Sequence, residues 1–374
     1  MKCRFGLLFC LLVLYIFPAD ASGSEKVSGD RKLEIVFCMD LSGSTNGLIN
    51  DLRDNLWHII NQAKLLTPKP ELRIGVVGFS RPSFKKENSY VKVLCDLTTD
   101  FDFLAAELSK IRPSIEKGDQ YIGAALRKGV LDISWSEEED AKKIIYIVGN
   151  GMVADPSGEY IKSCELAVKR NITINSIYVV SNYKAKEILG WHKIATMGRG
   201  ISSEMTVGFR EKINDETVAT KEFFNAARDF NLTCMFYSVN GMTKYMEYRK
   251  ADSIAYAGGN ASFFERVYYK SMNLITGGMS WDVVNYYTRT GLLPAYSDTL
   301  LFPDSLKNKS NEYIYDLVKT LKSDRQRSVS RMNTMLINDY PLKMHDRYAN
   351  GELKDDNNLF SRCVINMLLK QWKE

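Results

Sequence analysis

The sequence predicts an α/β protein: a doubly wound, mostly parallel sheet followed by a mainly helical C-terminal extension. Three observations predict it. Near-continuous apolar runs of strand length recur at residues 33–39, 72–79, 144–148 and 172–180, and runs of that kind suit strands buried on both faces. The gaps between them carry apolar residues at three- and four-residue spacing, the period of a helix lying on a sheet. After about residue 210 the strand-like runs cease and helical spacing takes over. Strands alternating with helices give a parallel sheet covered on both faces, with ligands at the carboxyl ends of its strands.

In chain order, the first 21 residues read as an export signal. Lys2 and Arg4 precede an apolar run over residues 5–17, Pro18 breaks it, and Ala19-Asp20-Ala21 offers small residues for cleavage after Ala21. At ~1.5 Å per residue the run spans only about 20 Å, short of a ~30 Å hydrocarbon core. The expectation is a secreted or periplasmic protein with no stable membrane span after cleavage. Residues 22–31 form a polar leader without apolar period, and residues 32–210 the α/β domain. Within it, Leu48, Leu52, Leu56 and Ile59 mark a first helix, Leu104, Leu108 and Ile111 a second, Ile122, Ala125 and Leu126 a third, and Tyr160, Cys164 and Ala167 a fourth. Residues 90–94 read as a weaker, edge strand. Residues 211–374 form the helical region, with helical spacing over 218–230, 245–256, 261–274 and 311–321. Asn240-Gly241 is a turn signal there, and the basic segment 322–331 reads as a solvated helix face.

Composition limits the function. Hydrophobic residues at 45% and charged residues at 25% are ordinary globular values. Removing Lys2, Arg4 and Asp20 with the signal leaves 48 basic and 44 acidic residues, too even a balance to argue for nucleic acid. Cys38, Cys95, Cys164, Cys234 and Cys363 remain; an odd number in strand-like and helix-like settings suits small buried hydrophobes better than a disulfide framework. The three histidines, His58, His192 and His345, show no zinc-ligand spacing, and no phosphate-binding glycine loop occurs. No enzyme is expected. Asn171, Asn231, Asn260 and Asn308 match glycan-acceptor patterns, and none is expected to be used.

The chemistry concentrates just after the first strand. Asp40, Ser42 and Ser44 alternate along a strand end, where the chain must turn and Gly43 permits a tight turn. One carboxylate and two hydroxyls aimed at one point form a hard-oxygen set that suits Mg²⁺ first, with Ca²⁺ or Mn²⁺ as alternatives. The rival reading is a vestigial loop, bonded internally, in which Asp40 and Ser42 cap the next helix.

Asp40-Leu41-Ser42-Gly43-Ser44 resembles the first segment of the metal-ion-dependent adhesion site of von Willebrand factor A domains, a Rossmann-like fold. The resemblance implies a second loop with a Thr and a third with an Asp. The second loop aligns with residues 117–126, where the Thr position falls on Gln120 beside Asp119. The third aligns with 147–151, where Asn150 replaces the Asp. Both departures are amides, whose carbonyl oxygens still coordinate, and Asp119 restores the charge lost at 150. Residues 132–135, 141–150, 190–191, 198–200, 229–233 and 280–284 resemble a secreted bacterial subgroup with an altered site and a helical extension. By this resemblance the metal set is Asp40, Ser42, Ser44, Asp119, Gln120 and Asn150, and the partner is a protein offering an acidic side chain to the ion. The alternative function is a structural or assembly role in the cell envelope, working through the helical half.

Overall fold

A computed structural model describes residues 31–45, 47–113, 121–153, 159–180, 185–206, 218–275, 279–294, 302–307, 309–339 and 360–372. The signal segment and nearly all of the polar leader lie outside these residues, as do Asp119 and Gln120. Six strands form one sheet in the order β3-β2-β1-β4-β5-β6. They are β1 (Lys32–Asp40), β2 (Glu71–Phe79), β3 (Lys92–Thr98), β4 (Lys142–Gly149), β5 (Ile172–Val179) and β6 (Arg199–Met205). All pairings are parallel except β2 with the edge strand β3, which is antiparallel and bulged.

Both faces of the sheet are covered. On β1, Leu33, Ile35, Phe37 and Met39 enter one core while Val36 and Cys38 enter the other, the two-residue alternation of a strand. The first core is covered by α1 (Leu48–Lys64) and α2 (Phe101–Ser109); the second by α3 (Ile122–Leu131), α4 (Glu159–Lys169) and α5 (Ala185–Met197). With this strand order, no crossover helix among the described residues covers β4 and β5 on the α1 side. Tyr146, Val148, Ile177 and Val179 are nonetheless buried there.

The last helix supplies the missing cover. Phe360–Trp372 packs beside α1 and β6, with Phe360 against Phe37 at 5.7 Å between ring centres. Tyr146 donates its hydroxyl to Val364 O at 3.1 Å. Asn175 and Gln371 exchange amide hydrogen bonds at 2.9 and 2.8 Å, and Trp372 Nε1 donates to Pro68 O at 3.2 Å. Residues 360–372 therefore pack back onto the sheet.

Among the described residues the remaining α-helices are α6 (Val218–Leu232), α7 (Val239–Ala257), α8 (Asn260–Ile275), α9 (Val283–Thr290) and α10 (Asn311–Asp339), which puts the Phe360–Trp372 helix at α11. α6 to α10 enclose two further cores, one around Phe223, Phe230 and Tyr248 and one around Val284, Phe302 and Val318. Asn240-Gly241 is not a turn. Ser238 caps α7 by accepting from Gly241 N at 3.0 Å, and a Cβ at Gly241 would meet Trp281 O at 3.3 Å, so this glycine serves close packing. Nor is segment 322–331 uniformly solvated. Arg325 is buried, donating to both carboxylate oxygens of Asp282 (2.5 and 3.0 Å) and to Thr233; Arg327 and Arg331 face outward.

The helical half docks on the α/β domain along α1 and α2. Arg266 of α8, fully buried, meets Asp102 at 2.5 Å as a charge contact and donates to Asp252 at 2.9 Å. It lies over the Trp57 ring at 4.3 Å. Lys270 joins Asp252 at 2.8 Å. Burial opposes charge on Asp252, yet Lys270 and Arg266 together pull its pKa down to about 2. Asp102 goes the other way: burial raises it against the pull of Arg266. Asn231 donates to Asp252 and accepts from Tyr248 and Lys270, which ties an acceptor-pattern side chain into this network.

Among the described residues, Cys38, Cys95, Cys164, Cys234 and Cys363 are free thiols. Burial pushes Cys95, Cys164 and Cys234 up to about 12, so at neutral pH they are inert apolar fillers. No helix among the described residues is long and apolar enough to cross a membrane.

Candidate metal centre

β1 and β4 are neighbours, but the chain leaves β1 toward β2 and leaves β4 toward β5. Their carboxyl ends thus flank the switch point where an open α/β sheet offers a crevice. Asp40 ends β1, and Asn150 directly follows β4.

The first loop is built around its own donors. Asp40 is fully buried and accepts from Ser42 N at 2.9 Å through Oδ1. Thr45, which the sequence reading missed, closes the turn by donating to Asp40 O at 2.8 Å and Ser42 O at 3.0 Å. Leu41 N donates to Phe79 O at 3.0 Å, tying the loop to β2. Residues Gly43–Thr45 make a short 3₁₀ turn, and the left-handed position is Gly47 (φ 111°), not Gly43. Gly47 also caps α1 with no side-chain bond. Asp40 and Ser42 therefore do not cap that helix.

The oxygens converge at the rim. Ser42 Oγ lies 3.0 Å from Ser44 Oγ, and Ser44 Oγ donates to Asn150 Oδ1 at 3.0 Å. Asn150 Nδ2 donates to Ser44 O at 3.4 Å, which turns the amide oxygen toward the hydroxyls. Exposure grades from buried Asp40 and Ser42 to open Ser44, so the cluster opens outward.

Neighbouring ligands of an octahedral Mg²⁺ at 2.0–2.1 Å stand roughly 3.0 Å apart, and the two oxygen separations match that edge. The donor set fits a hard cation, with one carboxylate, two hydroxyls and one amide oxygen. Its charge is sparse: among the described residues no group of three or more His, Cys, Asp or Glu gathers to hold a metal.

The second loop is fixed at its exit. Tyr121 N donates to Ser80 Oγ at 3.3 Å, and Ser80 directly follows β2, fully buried with φ 59°. Residue 121 thus sits at the carboxyl end of the strand next to β1, one residue after Gln120. Ser80 had no signal in the sequence, since a lone serine after a strand is commonplace.

The family model for the von Willebrand factor type A domain matches residues 34–218. The chain carries a von Willebrand factor type A domain. Such domains commonly mediate protein–protein interaction and adhesion, and often bind a divalent metal. Among curated proteins none matches the sequence. Solved structures similar to the A domain include proximal thread matrix protein 1 of the mussel byssus, at 17% identity over 46% of this chain and 41% of that one, with TM-score 0.36. An aerotolerance-related membrane protein of Bacteroides fragilis is 16% identical over 46% of this chain and 91% of that one, with TM-score 0.33. The manganese-loaded TRAP protein of Plasmodium vivax is 18% identical over 44% and 63%, with TM-score 0.32. The match spans about two fifths of the mussel protein's length.

Proposed function

We propose that this is an exported, non-catalytic protein-recognition module whose A domain holds a divalent cation, Mg²⁺ foremost, at the β1–β4 rim. Asp40, Ser42, Ser44 and Asn150 would supply oxygens to it, and the second loop would add Asp119 and Gln120. The observation that carries the reading is the pair of 3.0 Å oxygen separations joining two loops at the switch point. A bound ion would offer an open coordination position to an acidic side chain of the partner. Asp40 contributes the buried negative charge, and the exposed Ser44 marks the side from which the partner approaches. With an amide at residue 150 the centre keeps less negative charge, so an anionic ligand gains attraction.

Isothermal titration with Mg²⁺, Mn²⁺ and Ca²⁺ tests this. Wild type should bind at least one ion, and Asp40→Ala should lose it. No binding by wild type, or equal binding by the variant, would overturn the reading.

A second reading, a structural or assembly role through the helical half, draws on α7. Val239, Met242 and Met246 recur at helical spacing on its open face, 58, 49 and 63% exposed, opposite the buried Tyr248 and Asp252. Pull-down with and without a chelator separates the two: loss on chelation supports the metal rim, and indifference supports the helical surface.

A further inference from the structure

One side chain holds the third metal loop from behind. Trp191 of α5 is fully buried, and its indole Nε1 donates to Gly151 O at 3.0 Å. Its ring edge also reaches Gly149. A Cβ built at Gly149 would stand 3.1 Å from Trp191 Cη2, 3.1 Å from Asp40 Oδ2 and 2.6 Å from Asp40 Cβ. The indole thus grips the turn on both sides of Asn150 and shares one tight space with the Asp40 carboxylate. Its own place is fixed from β5: Ser176 Oγ donates to Trp191 O at 2.8 Å, and Tyr178 lies against the ring with 6.1 Å between centres.

We propose that Trp191 is a positioning residue of the metal centre, holding the 149–151 turn so that Asn150 presents its carbonyl oxygen beside the serine hydroxyls. This rests on the metal reading above. A carboxylate offers two equivalent oxygens and a full charge, so it coordinates in either orientation. An amide has one oxygen, no net charge, and an NH₂ that repels a cation when reversed. The hydrogen bond that orients Asn150, from Nδ2 to Ser44 O, is long at 3.4 Å. The fixed backbone must supply the rest, and Trp191 is what fixes it. Groups that orient metal ligands in this way change affinity by about ten- to a hundredfold when removed.

The test is Mn²⁺ titration of the full chain, with the thermal midpoint of the metal-free protein measured alongside. Trp191→Phe keeps a ring but loses the N–H. It should weaken Mn²⁺ binding by about tenfold or more in protein that still unfolds cooperatively. In an Asn150→Asp background the same change should weaken binding less than about threefold, because either carboxylate oxygen serves. Equal losses in the two backgrounds would mean that the tryptophan only supports the fold, and unchanged affinity in Trp191→Phe would overturn the proposal while leaving the metal reading intact. Failure of wild type to bind Mn²⁺ would overturn both. If Trp191→Phe does not fold, Ser176→Ala loosens the same support, and unchanged affinity there overturns the proposal.

Discussion

The rim at the ends of β1 and β4 and the seam between α8 and the α1–α2 face are both polar clusters, and they are built in opposite ways. The seam is dense in charge and closed. Arg266 and Lys270 meet Asp102 and Asp252 at 2.5 to 2.9 Å, with Arg266 fully buried. Each charge is answered from inside the protein. At the rim, one carboxylate stands among the buried Ser42 hydroxyl and Asn150 amide, and the Ser44 hydroxyl joined to them opens toward solvent. A cluster that neutralises itself in the interior serves to fix one part of the molecule against another. A cluster of oxygens short of positive charge, converging at a surface, is suited to receive a cation.

The largest expected effect tests the seam. Arg266→Met leaves the partly buried Asp102 without its arginine and Asp252 with Lys270 alone, and should lower the unfolding free energy by about 3 kcal/mol in urea denaturation. A loss under about 1 kcal/mol would mean that the seam is not holding the halves together.

Acid comes next. Asp252 has its folded pKa depressed to about 2, so its contribution is complete above the ordinary Asp value near 4 and is lost as pH falls through about 2. The two values imply about 2 kcal/mol lost across that window. Asp252→Asn should be less stable at neutral pH and should show a flatter stability profile between about pH 4 and 2; an unchanged profile breaks the assignment.

A smaller effect sharpens the rim. Asn150→Asp adds the missing charge, and should tighten Mn²⁺ binding by about tenfold, equivalent to about 1.4 kcal/mol. Calorimetry reads it directly, and weaker binding would show that the centre is built for a neutral third loop. The smallest effect serves as the reference. Arg331 pairs with Asp229 at 3.0 Å on the surface, so Arg331→Ala should change stability by less than about 0.5 kcal/mol and leave metal binding untouched.

Some of this was legible in advance because it is local. Asp40, Ser42 and Ser44 stand out since a polar alternation follows a buried strand, whereas Asn150 came only from the resemblance, which aligns it with the family's third-loop Asp. Their meeting across loops 106 residues apart follows from two adjacent strands ending at one edge. The roles of Thr45, Ser80 and Trp191 were not legible, because each works through contacts to backbone groups that leave no spacing in the chain. Arg325 was misread for a related reason: among arginines and serines on a helix, nothing local tells which one faces Asp282. Asn240-Gly241 misled because the propensity for a turn was overridden by the Ser238 cap and by packing on Trp281.

The sequence by itself determined the α/β class, the helical second half and the three first-loop oxygens, since apolar period and strand-end chemistry are short-range properties. Only the tertiary structure decided that the chain's last helix completes the sheet, that Arg266 joins the halves, and that Trp191 braces the third loop. Those depend on which surfaces the strand order leaves uncovered, and a surface is left bare or covered only once the whole chain has folded.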